Sequence, residues 1–209
     1  MPVIALIGNK GGAGKTTLSV NLASGLSKQA STVLVDADPQ GSALQWNVFT
    51  DTNQAIAVLE ARDDVQAQLA ELSREFENVV VDCPPSVHAV QTIKVLEICD
   101  LALIPVQPSP VDLWATVHTE KAIRCAQKVN SNLRAVLVIN QLESRTTLSR
   151  IVREAVSEIG LPVAKIAIHR RAIFRNSVLE GKSVFEMGVR GIDAASEIDE
   201  LINEVLIYE

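Results

Sequence analysis

Aromatic side chains are scarce in this chain: two Trp, one Tyr and four Phe among 209 residues. The apolar fraction is nonetheless 47%. A core must therefore be filled by Val, Ile, Leu and Ala, and aliphatic runs of that kind suit a parallel sheet covered on both faces. Cysteine is nearly absent too. Cys83, Cys99 and Cys125 make an odd count without a C-x-x-C pair, which argues against a disulfide framework or a zinc site and points to a reducing cytosolic compartment. The three histidines, His88, His118 and His169, fall in no motif and are assigned no role. No stretch reaches the roughly 18 apolar residues of a membrane span. The N-terminal MPVIALIGNKGG carries its lysine after a short apolar run rather than before it, unlike a secretory signal. Linkers, internal repeats and low-complexity tracts are missing, so residues 1–209 read as one domain.

An excess of positive charge is also lacking. The net charge is -6, which argues against a generic polyanion binder, but the charge is uneven. Residues 165–190 hold Lys165, Arg170, Arg171, Arg175, Lys182 and Arg190 against only Glu180 and Glu186. Such a cluster marks either a binding face or a solvated helical surface.

What is present is an alternation of short aliphatic runs with helical periods. Strands are expected at residues 3–7, 32–35, 79–81, 101–106, 134–140 and 163–168. Helices are expected over 15–28, 42–48, 64–75, 87–97, 109–129 and 146–159, followed by two helical pieces broken near Gly188–Gly191. Ser109-Pro110 suits an N-cap and first helical position, and Asp112 falls in the positive first turn. The pattern is that of an α/β fold with a doubly wound, mostly parallel sheet and helices on both faces.

Residues 8–17 read GNKGGAGKTT. From Gly8 the spacing is G-x-x-x-x-G-K-T, the Walker A pattern of a P-loop NTPase, placed as required between a strand and a helix. Gly11, Gly12 and Gly14 let the backbone wrap phosphate oxygens, and Ala13, Thr16 and Thr17 complete the cofactor-binding loop at a helix N-terminus that favours anions. Lys15 is expected to reach the β/γ-phosphates and the Thr16 hydroxyl to ligate Mg²⁺. Three aspartates end apolar strands at the edge where such sheets bind ligands. Asp82, in VVVDCPP, reads as the Walker B carboxylate on Mg²⁺. In VLVDADPQ, Asp36 suits the metal's water shell and Asp38 suits orientation of the attacking water. One of this pair, Asp38 in particular, has the alternative role of capping the helix at 42–48.

The second lysine of KGGAGKTT, Lys10, resembles the signature lysine of the deviant Walker A motif in the ParA/MinD ATPases, which contacts phosphate across a dimer interface. The strings at 33–43, 79–85, 103–114 (LIPVQPSPVDLW) and 174–187 (FRNSVLEGKSVFEM) extend that resemblance over nearly the whole chain. It is nearest to short ParA partition ATPases, since the loop starting at residue 8 leaves no room for the N-terminal DNA-binding extension of longer relatives. The resemblance implies ATP and Mg²⁺ as cofactors, an ATP-bound homodimer with Lys10 acting in trans, and hydrolysis positioned by Asp38. It places the adenine contact at Asn140, and Pro108, Asp112 and Trp114 near the dimer interface. It also implies nonspecific DNA binding through Arg170, Arg171, Arg175, Lys182 and Arg190, joined by Arg145, Arg150 and Arg153. A ParB-like or cargo adaptor protein would stimulate hydrolysis, and the protein would be cytoplasmic and nucleoid-associated.

Three alternatives compete with DNA partition. One keeps the ATPase but positions a protein cargo, chosen by a partner the sequence does not contain. A MinD-like membrane ATPase needs a basic amphipathic C-terminal helix, whereas DAASEIDELINEVLIYE has six acidic residues and no basic one. A redox or metal-cluster carrier ATPase needs interface cysteines, and the three here form no recognisable pair.

Overall fold

The structure, a computed structural model, describes residues 2–50, 56–143 and 159–206. Among these residues a seven-stranded sheet forms the centre. Its strands are β1 (Val3–Leu6), β2 (Thr32–Asp36), β3 (Ala57–Glu60), β4 (Asn78–Asp82), β5 (Leu101–Val106), β6 (Arg134–Leu142) and β7 (Ile168–His169). They lie in the order β3-β2-β4-β1-β5-β6-β7, and every neighbouring pair is parallel.

β1, β2, β4 and β5 are buried at every residue, the signature of strands covered on both faces. Their period of two sorts side chains between two layers. Ile4, Leu6, Leu34, Val80, Leu101 and Leu103 pack against α1 (Lys15–Ser27), α2 (Ser42–Val48), α6 (Ala172–Leu179) and α7 (Ile192–Leu206). Val3, Ala5, Val33, Val35, Val79, Val81, Ala102 and Ile104 pack against α3 (Val65–Glu75), α4 (Val90–Leu96) and α5 (Pro110–Ala126). Each fully buried Val, Leu or Ile side chain among them contributes about 1.5–3 kcal/mol of transfer free energy. The doubly wound architecture matches the sequence expectation.

The order matters for the site. β1 and β4 are neighbours, and the chain leaves β1 for β2 on one side but leaves β4 for β5 on the other, which opens a crevice at the carboxyl edge. The loops after β1, β2, β4 and β5 and the end of β6 all meet there.

Several elements differ from expectation. β3 was not foreseen: it is an edge strand of the pattern AVLE in which only Val58 is buried. β6 runs two residues past Asn140, with a register shift between Asn140 and Leu142 and a left-handed Gln141 at φ 58°. The expected strand at 163–168 shrinks to Ile168–His169 plus one bridge from Val163 to Leu137. α4 starts only at Val90, because residues 86–89 form a turn held by Thr92 Oγ1 donating to the Ser86 carbonyl. The C-terminal break falls at two short 3-10 turns, Val184–Glu186 and Gly188–Gly191. The expected helix at 146–159 lies almost wholly outside the described residues, as do Arg145, Arg150 and Arg153.

Candidate functional site

The loop between β1 and α1 turns on two glycines. Gly12 and Gly14 have φ of +81° and +89°, a region L side chains avoid. A Cβ on Gly14 would also lie 2.4 Å from Asn140 Nδ2, so only glycine fits. At Gly11 and Gly12 an added Cβ would meet nothing within 4 Å; that open side, above the N-terminus of α1, is where an anion fits. Lys15 is buried, and its ammonium donates to the Lys10 carbonyl at 3.0 Å. Burial pushes its pKa down, against the attraction of Asp82 and Asp38. A desolvated ammonium at a helix N-terminus is strongly stabilised by an incoming phosphate.

Asp36 and Asp82 stand side by side at the ends of β2 and β4. Asp82 is 1% exposed, and its Oδ1 accepts from Ser19 Oγ at 2.9 Å. Its Oδ2 is buried without a hydrogen-bond partner among the described residues. Burial lifts this carboxyl to about 6, opposed by the hydroxyls of Thr16 and Ser19. An orphaned carboxylate oxygen beside a threonine hydroxyl is the donor set Mg²⁺ takes from proteins, since it keeps waters and phosphate oxygens for its other positions. Consistently, no group of three or more His, Cys, Asp or Glu among the described residues could hold a metal alone. The residues present therefore fit a magnesium ion that arrives with a nucleotide.

Asp36 takes the capping role open to either aspartate of the pair. Its Oδ2 accepts from the N–H groups of Ala43 and Leu44 at 2.9 and 3.0 Å, and Oδ1 accepts from Asp38 N at 3.1 Å. The helix-capping role considered for Asp38 belongs to Asp36, because strand β2 aims Asp36 at the first turn of α2. Burial raises its pKa, against the three backbone donors. Asp38 is half-buried, accepts from Gln40 N at 3.0 Å, and lines a cleft of about 410 Å³ with Glu60, Asp63 and Lys94.

Lys10 does not hang free. Its Nζ lies 2.6 Å from Asp112 Oδ1 in the first turn of α5. Asp112 thus answers the lysine of its own subunit, and Ser109 holds the N-cap position without a side-chain cap bond. Trp114 next door is 71% exposed.

Beyond the loop lies a pocket of about 800 Å³, lined by Gly14, Thr17, Asn140, Gln141, Ile168 and Arg170 among others. Its size suits a nucleoside. Asn140 is buried and donates Nδ2 to the Ala13 carbonyl at 2.7 Å, so Oδ1 and one N–H remain for a base. The wall at His169 and Arg171 is tied to α7: Glu197 Oε1 accepts from Arg171 at 2.8 Å and lies 2.8 Å from His169 Nδ1.

The basic stretch changes meaning in three dimensions. Arg170 pairs with Glu143 at 2.9 Å, and Arg171 with Asp193 and Glu197 at 3.1 and 2.8 Å. Lys182 and Arg190 share Glu180 at 3.0 and 3.7 Å. Acids from outside the basic stretch thus meet Arg170 and Arg171, while Lys182 and Arg190 share a glutamate within it. Arg175 has no ion pair among the described residues, and with Arg170 and Arg171 it borders the nucleoside-sized pocket. Sequence reasoning also passed over Ser19, which bridges the Lys15 carbonyl to Asp82, and over Gln107 and Gln141, which donate to the Gly12 carbonyl. Only a helical spacing of three from Thr16 pointed to Ser19; nothing local pointed to the glutamines.

Comparison with known proteins agrees with this geometry. The family described as the CobQ/CobB/MinD/ParA nucleotide binding domain matches residues 4–184. The Maintenance of carboxysome distribution protein A of Halothiobacillus neapolitanus is 42% identical over 208 residues, covering 97% of this chain and 95% of the relative. The sporulation initiation inhibitor protein Soj of Bacillus subtilis is 28% identical, covering 94% of this chain and 95% of the relative. Among solved structures, an ATP complex of a Cyanothece McdA aspartate-to-alanine variant has a TM-score of 0.83 at 17% identity, covering 100% of this chain and 97% of that one. A chain of the Aquifex aeolicus MinC:MinD cell division protein complex has a TM-score of 0.80 at 16% identity, covering 100% of this chain and 97% of that one. With that family model matching residues 4–184 and a relative 42% identical over 97% of this chain, the chain belongs to the CobQ/CobB/MinD/ParA nucleotide-binding family.

Proposed function

We propose that this chain is a Mg²⁺-dependent ATPase of the ParA type that positions a protein assembly rather than a plasmid or chromosome. One observation carries the choice of cargo: the 42% identity, over 97% of the chain, to a protein named for carboxysome distribution. The ATPase reading is supported by the loop geometry and by nucleotide complexes among its fold neighbours, with ATP in one and ADP and magnesium in another.

Lys15 and the N–H groups of Gly11 to Thr17 hold the phosphates, and Asn140 faces the base. Thr16 and Asp82 would hold Mg²⁺, with Asp36 on its water shell, and the bound ion would supply positive charge against the phosphates. Asp38 orients the attacking water. Lys10 leaves Asp112 and reaches a phosphate bound by a second copy, so that the triphosphate favours the dimer. The dimer doubles a basic face led by Arg175, with Arg170, Arg171, Lys182 and Arg190 beside it exchanging carboxylate partners for phosphates, giving salt-sensitive nonspecific binding to nucleoid DNA. A cargo adaptor stimulates hydrolysis and releases the dimer. A membrane role is disfavoured by the acidic α7 (IDAASEIDELINEVL), and no helix among the described residues is long and apolar enough to cross a bilayer.

DNA partition is the second reading, favoured by the 27% identity to a Myxococcus xanthus chromosome partitioning protein ParA. Deleting the gene in its host and imaging both cargoes separates the two. Clustered protein assemblies with normal replicon inheritance are expected; lost replicons with evenly spaced assemblies would overturn the protein-cargo reading.

A further inference from the structure

Three side-chain amides meet the phosphate loop from behind. Gln107 Nε2 donates to the Gly12 carbonyl at 2.6 Å, and Gln141 Nε2 donates to the same oxygen at 3.2 Å. Asn140 Nδ2 donates to the Ala13 carbonyl at 2.7 Å. A trans peptide is planar, and its C=O and N–H point in opposite directions. Holding the Gly12 carbonyl toward the ends of β5 and β6 therefore aims the Ala13 N–H the other way. Holding the Ala13 carbonyl does the same for the Gly14 N–H.

The loop needs such support. Glycine visits positive and negative φ with similar ease, so Gly12 and Gly14 do not fix these peptides by themselves. Gln141 is also the non-glycine residue with positive φ among those described, at 58°. It sits where the register of β6 and β7 shifts. In a regular strand, residues 140 and 141 would face opposite sides of the sheet. The left-handed turn brings both amides to one loop, and backbone strain of this kind persists where surrounding structure uses it.

We propose that Gln107 and Gln141 are positioning residues for nucleotide binding, holding the Gly12–Ala13 peptide so that the donors of the loop face the phosphates before the nucleotide arrives. This rests on the nucleotide reading of the loop. Preorganised donors bind more tightly because less ordering is left to binding. Gln107 also begins the segment that carries Asp112, so one stretch of chain contacts the loop at Gly12 and at Lys10.

The test is calorimetric titration of Mg-ATP and Mg-ADP into wild type, Gln141→Gly and Gln107→Glu, with thermal unfolding of each variant in the absence of nucleotide. Gln141→Gly relieves the left-handed strain while deleting the amide. Its nucleotide-free unfolding temperature should not fall, yet both nucleotides should bind roughly three- to tenfold more weakly, the worth of one hydrogen bond. Gln107→Glu turns a donor into an acceptor facing a carbonyl and should lose more than about tenfold. Affinities within twofold of wild type in both variants would overturn the clamp and leave the nucleotide site standing. Affinity losses that merely track a lowered unfolding temperature would overturn it as well. Wild-type protein that binds neither nucleotide would overturn the nucleotide reading and the clamp together.

Discussion

Lys10 reaches Asp112 across 102 positions of sequence, Nζ to Oδ1 at 2.6 Å, so the lysine expected to serve a neighbouring subunit is held by its own. The pair is partly exposed, with the Lys10 side chain 39% accessible, and such pairs contribute about 1 kcal/mol or less. Breaking it frees Lys10 at little cost to the fold. Asp112→Asn should therefore move ATP-dependent dimerisation to roughly threefold lower protein concentration. Sedimentation velocity across a concentration series checks this; a dimer weakened by Asp112→Asn would show that Asp112 supports the interface rather than holding Lys10 back.

Lys15→Gln removes the buried ammonium from the phosphate loop. A charge-assisted contact in a desolvated site is lost, so ATP affinity should fall by roughly a hundredfold or more. Calorimetry measures it directly, and near-normal affinity would remove Lys15 from the phosphates.

The site was unevenly legible in the sequence. Gly12, Gly14, Lys15 and Asp82 were readable because motif and strand context sit within one short stretch, and the sheet itself announced its double burial through unbroken aliphatic runs. What escaped were long-range pairings. Gln107 and Gln141 act on a loop about a hundred residues away, and their spacing carries no local signal. The arginines 170 and 171 looked like surplus charge because Glu143, Asp193 and Glu197 lie outside the basic stretch. β3 escaped because an edge strand with one buried residue has no clear period.

Asp82 gives a pH prediction. Its carboxyl rises from an ordinary 3.8 to about 6 in the folded chain, mainly through burial. A raised carboxyl favours folding while protonated, so that contribution is present below pH 3.8 and lost as pH rises through about 6. Without nucleotide or metal, Asp82→Asn should stabilise the fold at pH 7 by at most about 3 kcal/mol, the size of a two-unit shift. The gain should vanish near pH 4, and Mg²⁺-dependent ATP binding should be lost. Thermal unfolding across pH tests the first part; a variant less stable than wild type at pH 7 would contradict it.

Asp38→Ala should bind ATP normally while hydrolysing it at least tenfold more slowly, because positioning a water contributes to the transition state rather than to the ground state. The ATP-bound dimer should then persist. Unchanged turnover would take Asp38 out of hydrolysis.

The most direct test of the switch is DNA binding with ADP, ATP and a slowly hydrolysed ATP analogue, at two salt concentrations, with sedimentation in parallel. Dimers and DNA binding only in the triphosphate states, weakened steeply by salt, are the expected result. A protein that binds DNA equally well with ADP, or that stays monomeric with every nucleotide, would contradict it.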